Sequence, residues 1–174
     1  YEEADKMETV EIIQRLENMG IPFNKDAFLR DCEIFYSAEQ LSENWWANFP
    51  VTAQGRDEDF PFFAALILWE RMAPPHILSM EQMSDLIDEG FEYLSNRDYK
   101  SACDAWLKVW EAIKYRHKPE HKTMDFLEKQ YSGSFFVSNL CQDIENELRS
   151  AGWEDNTYFE KRINFCKEFL AMFP

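Results

Sequence analysis

Between Leu86 and Trp106 the chain sets Gly90, Tyr93, Tyr99, Ala102 and Trp106 at the spacing of two short helices folded back on one another. Glycine and alanine carry almost no side chain, so two helices can approach at Gly90 and Ala102. Tyr93, Tyr99 and Trp106 then fill the groove on either side. Asn96-Arg97-Asp98 supplies the turn, and the second helix is expected from about Tyr99 to Tyr115. A helix pair of this kind buries its apolar face only against further helices, which constrains the rest of the chain to supply them.

Helix signals are frequent elsewhere, and strand signals are nearly absent. A first helix is expected from roughly Glu3 to Met19, with Met7, Val10, Ile13 and Leu16 as its apolar stripe. Gly20 offers a left-handed cap and Pro22 prevents resumption. Asn24 caps a second helix, with Phe23 and Phe28 as a hydrophobic staple and Phe28, Leu29, Cys32, Phe35 and Tyr36 as its buried face. Ser37 and Gln40 form a capping box for a third helix, which carries Trp45 and Trp46 and stops before Pro50. After a loop from Asn48 to Phe60, Asp59 is the expected N-cap of a helix that is apolar from Phe62 to Trp69, a central rod.

Pro74-Pro75 breaks the chain and divides it into an N-terminal helical subdomain, 1–75, and a repeat region, 76–174. Ser79 and Gln82 form a second capping box, opening the first helix of the pair. Beyond Pro119, helices are expected from about Thr123 to Gln130, from Ser134 to about Ser150, and from Asn156 to Met172. The last should turn Tyr158, Phe159, Ile163, Cys166, Phe169 and Leu170 inward. The fold class is therefore all-α, with about eight to nine helices.

Charge narrows the partners. The sequence holds 33 acidic and 18 basic residues, a net charge of −15. That charge repels phosphate backbones and anionic lipid, so nucleic acid and membrane are disfavoured, and it suits either a solvated surface or a basic partner. Cys32, Cys103, Cys141 and Cys166 are widely separated, each within an apolar helical pattern. They read as small hydrophobes of a reduced, cytoplasmic protein. No apolar run is long enough for a membrane span and no signal peptide opens the chain. The start at Tyr1, without methionine, leads us to expect a trimmed or expressed fragment.

The spacing from Gly90 to Trp106 resembles a tetratricopeptide motif, whose stacked pairs form binding surfaces. The stretches Phe60-Pro61-Phe62-Phe63, Ala102 to Glu111 and Tyr158 to Cys166 resemble an uncharacterised bacterial family that joins such repeats to a SEC-C motif, a short cysteine-rich zinc site. The resemblance covers most of the chain and implies tetratricopeptide-like antiparallel pairs stacked on an N-terminal bundle. No cysteine cluster is present, so zinc is not carried over to any residue, and no cofactor is expected. The repeat region stops where such relatives continue, as a truncated array would.

Two sets of residues are candidates for function. Trp45 and Trp46, adjacent on one helix, cannot share a narrow stripe, so one of them lines a groove or a broad face buries both. With the acidic loop Asp57, Glu58 and Asp59 they form the partner-binding set of a non-enzymatic interaction module for a protein or peptide of basic character. The alternative is catalytic. Arg116 and His121, spaced R-x4-H with His117 between, resemble the signature of metal-independent HEPN-type ribonucleases. In those enzymes the arginine stabilises phosphorane-like charge and the histidine moves a proton. Arg71 and His76 repeat the spacing, and Pro119 and Pro75 place each histidine outside regular helix.

Overall fold

The computed structural model describes residues 2–118, 120–121 and 123–174. Every regular element among them is helical. A single turn, α1 (Glu2–Asp5), precedes nine longer helices: α2 (Thr9–Asn18), α3 (Lys25–Ile34), α4 (Ala38–Asn48), α5 (Phe60–Met72), α6 (Met80–Ser95), α7 (Tyr99–Arg116), α8 (Met124–Gln130), α9 (Val137–Glu154) and α10 (Thr157–Met172). None of the described helices is long and apolar enough to cross a membrane. The expected proline stop at Pro119 lies outside the described residues. Contacts divide the chain into two compact units, one through Gln82 and one from Met83.

In the first unit α5 is the rod that the apolar run from Phe62 to Trp69 requires, with Ala64, Ala65, Ile67, Leu68 and Trp69 buried. It packs along α4 and also meets α1 and α2. The stripe on α2 is rotated from its expected position: Ile12 and Leu16 are buried, whereas Val10 faces solvent. An interruption after Asp5 resets the helical phase, so the one long helix expected from Glu3 becomes two. Gly20 closes α2 at φ +87°, with Gly20 N–H donating to Glu17 O and Ile21 N–H to Leu16 O, each at 3.0 Å. That pair of bonds satisfies the carbonyls a helix end leaves open.

The seam expected at Pro74-Pro75 differs from the division after Gln82, and hydrogen bonds explain why. Trp69 Nε1 donates to Ile77 O at 2.8 Å, and Met80 N–H donates to Tyr36 O at 2.8 Å. These bonds tie the segment after the two prolines back to the rod and to the start of α4. The capping box of α6 is complete, with Gln82 N–H on Ser79 Oγ at 3.3 Å and Ser79 N–H on Gln82 Oε1 at 3.0 Å.

In the second unit the contact anticipated at Gly90 is present in a different form. A Cβ built on Gly90 would fall inside the Trp106 indole. Trp106 is fully buried, donates from Nε1 to Ile87 O at 3.0 Å, and meets Phe91 edge-on at 5.1 Å. The close backbone approaches of this unit are α7, α8 and α10 with α9, not α6 with α7. Gly90 thus makes room for a ring rather than for a neighbouring backbone.

Two further expectations shift. Helix α9 runs through Gly152 instead of stopping there, because the Phe159 ring occupies the space a side chain would take and the glycine is used for packing. On α10 the inward residues are Tyr158 and Phe165, while Ile163 and Leu170 are 53% and 66% exposed. Trp110 sets that phase. Its ring meets Phe165 at 5.0 Å and Phe169 at 6.4 Å, and its Nε1 donates to Glu168 Oε2 at 2.8 Å.

The turn between α6 and α7 falls on Asn96-Arg97-Asp98, and Arg97 holds φ +61°. Arg97 N–H donates to Leu94 O at 2.9 Å and Asp98 N–H to Tyr93 O at 3.0 Å, the same closure that Gly20 makes for α2. A side chain in this left-handed conformation costs about 1–2 kcal/mol, part of which glycine recovers against its greater freedom in the unfolded chain. Arg97→Gly is therefore expected to raise the unfolding free energy by about 0.5–1 kcal/mol. A urea midpoint that falls would contradict this.

Candidate functional site

Helices α3 and α4 build one pocket in the first unit. Asn24 starts α3 by accepting from Ala27 N–H at 2.9 Å, and Phe23, just before it, packs on Phe28 with ring centroids 5.5 Å apart. Phe28 in turn meets Trp45 of α4 at 6.4 Å. The start of α4 is fixed twice. Ser37 Oγ accepts from Gln40 N–H at 3.0 Å, and the Glu81 carboxylate accepts from Ala38 N–H at 3.0 Å and Glu39 N–H at 3.2 Å. An acidic group at a helix N-terminus is favoured there by the aligned peptide dipoles.

The resulting pocket has a volume of about 240 Å³ and is lined chiefly by the rings of Phe23, Phe28, Trp45 and Phe49, with Asn24 and Asp31 as polar members. Phe28 and Trp45 are buried and hold the floor, while Phe23 and Phe49 are half-buried. Asp31 is also half-buried, and burial pushes its carboxyl above the usual range, with neighbouring Arg30 opposing the shift. Among the described residues no salt bridge involves Asp31. A carboxylate losing water beside aromatic faces is an environment that favours a cation.

The sequence-derived candidates separate in the structure. Trp45 lines this pocket and is 5% exposed, whereas Trp46 stands outside it and is 40% exposed. Asp57 is held by Arg15 at 2.6 Å, and that guanidinium lies over the Phe60 ring at 4.0 Å. Glu58 Oε1 accepts from Gly55 N–H at 3.1 Å, closing its own turn. Asp59 occupies the N-cap position of α5, but its side chain makes no capping bond, since its backbone is already helical. None of the three acidic residues lines the pocket. Its carboxylate is Asp31, which sequence reasoning missed. The available signal was Phe28 and Asp31 one helical turn apart, and it becomes legible only once α4 is known to lie alongside.

Arg116 is the last residue of α7 and His121 follows in the segment beyond it, and both are inside the packing. They are 8% and 9% exposed. His121 stacks on Phe126 at 3.9 Å and accepts from Lys118 N–H at Nδ1 at 3.3 Å. The His121 ring is thus engaged on both sides by its own segment. The second copy of the spacing is structural as well, since Arg71 donates to Met7 O at 2.8 Å and to Asp5 O at 2.7 Å.

His117 meets His121 at 6.0 Å and Phe173 at 5.9 Å, both edge-on. Burial holds its pKa below the ordinary 6.5, His121 adds to the depression, and Glu120 opposes it. The folded chain then takes up fewer protons at this site than the unfolded one. Its contribution to stability is present above 6.5 and lost as pH falls through the lowered value. His117→Gln is expected to flatten the decline of the melting temperature between about pH 7 and pH 5. An unaltered slope would show that His117 does not drive it.

The four cysteines carry no disulfide, and burial pushes the Cys103 and Cys141 thiols up to about 12, so both are inert at neutral pH. Among the described residues no group of three or more His, Cys, Asp or Glu is placed to hold a metal ion. Comparisons with protein-family models, with curated proteins and with solved structures find no match.

Proposed function

We propose that the chain is a non-enzymatic helical module that binds a basic protein or peptide, and that its first unit makes the contact. The observation that carries this reading is the ring-lined pocket with its half-buried carboxylate, set in the more acidic part of the molecule. Residues through Gln82 include 16 acidic and 6 basic side chains, against 17 and 12 from Met83 onward. Acidity of that kind steers cationic partners and speeds their encounter. The tetratricopeptide-like reading of α6 to α10, the kinship with SEC-C-associated bacterial proteins and a cytoplasmic setting belong to the same proposal.

The test is calorimetric titration with a dodecapeptide of arginine, leucine and glycine, beside a counterpart in which glutamate replaces arginine. Saturable binding of the basic peptide alone, weakening as salt rises, is the expected result. Equal response to both peptides, or to neither, would remove the reading.

A further inference from the structure

We infer that the pocket between α3 and α4 receives a single arginine side chain of a basic peptide. The guanidinium would stack on the Phe23, Trp45 and Phe49 rings and pair with Asp31. This rests on the reading of the chain as a module for basic partners and names the contact within it.

Size is the first argument. A volume of about 240 Å³ lies below the roughly 300–1,000 Å³ of pockets that enclose drug-sized ligands, so one side chain is the matching occupant. Chemistry is the second. Aromatic faces attract a cation through their quadrupoles, and the attraction grows where water is excluded. Guanidinium is planar, weakly hydrated and able to stack, and its fork of N–H donors fits a carboxylate with two parallel bonds. Lysine's compact, strongly hydrated ammonium fits flat rings less well.

Charge is the third argument. Asp31 is half-buried, no salt bridge among the described residues involves it, and its carboxyl pays for lost water. An incoming cation removes that penalty, whereas a neutral apolar group would deepen it. The pocket is also pre-formed. Phe28 and Trp45 are buried in the core of the unit, and the start of α4 is pinned by Glu81, so little ordering is needed on binding.

The test is amide and indole chemical-shift titration of the whole chain with acetyl-Gly-Arg-Gly-amide at constant ionic strength. The same peptide carrying citrulline serves as the neutral isostere, and a lysine peptide is the third arm. The arginine peptide should move Phe23, Asn24, Asp31, Phe49 and the Trp45 indole saturably. Citrulline should bind at least fivefold more weakly, with lysine between the two. Asp31→Asn should weaken arginine binding by at least fivefold and leave the citrulline response unchanged, without lowering the melting temperature. Equal affinity for arginine and citrulline, insensitivity to Asp31→Asn, or shifts scattered over the acidic surface would each overturn the inference. If the basic dodecapeptide still binds in those cases, the module reading survives and only this site falls. The isostere comparison needs no variant, so it decides the matter even if Asp31→Asn fails to fold.

Discussion

Trp106→Ala is expected to lower the unfolding free energy by about 3–5 kcal/mol, the range for removing a large ring from a packed core. Trp106 is fully buried between α6 and α7, and the space over Gly90 is shaped to its indole. Its loss opens a cavity that two helices without close backbone contact cannot easily collapse. It also strips Ile87 O of the indole donor. Trp106→Phe retains most of the volume and should cost about 1–2 kcal/mol, the scale of the lost hydrogen bond. A paired substitution sharpens the claim. In the native background Gly90→Ala drives a methyl into the indole and should cost about 1–3 kcal/mol, less the roughly 1 kcal/mol by which alanine favours helix. In the Trp106→Ala background the clash is gone, and Gly90→Ala should become stabilising. A double-mutant cycle on urea midpoints reads this directly. Additive effects would mean that Gly90 and Trp106 are not coupled.

In the first unit, Trp69→Ala is expected to have an effect of the same size, about 3–5 kcal/mol. Trp69 is 1% exposed on the most apolar helix, and its Nε1 bond to Ile77 O fastens the chain beyond Pro74-Pro75. Loss of the ring should therefore loosen a defined segment as well as the core. Amide exchange at Ile77 and Met80, which donate to Pro74 O and Tyr36 O, should accelerate more than exchange along α2. Uniform acceleration across the unit would indicate that the tryptophan only fills volume.

Much of the helical plan is legible in the residues because caps and turns are local. Asn24, Ser37 and Ser79 each accept from the backbone N–H three residues on, and Gly20 and Asn96-Arg97-Asp98 end their helices where turn chemistry requires. Helix phase is less local. Val10, Ile163 and Leu170 fit an apolar spacing yet face solvent, because the partner helix, not the period, selects which of two overlapping stripes is buried. Gly152 reads as a stop, but a ring from α10 makes it a packing site. The pocket depends on the same non-local information. Trp45 is identifiable as a residue of interest, while Asp31 gains its significance only from the rings that α4 and Phe49 bring beside it. The spacing of Arg116 and His121 carries no record of burial, and burial is what the structure adds.

Residue-resolved shift mapping with the arginine-containing dodecapeptide tests most directly whether the first unit is the binding surface. Perturbed amides are expected to cluster on α3, on α4 and around Phe49, with the Trp45 indole among the largest changes. Perturbations confined to residues after Met83, or none at a salt concentration where the peptide stays soluble and monomeric, would contradict it.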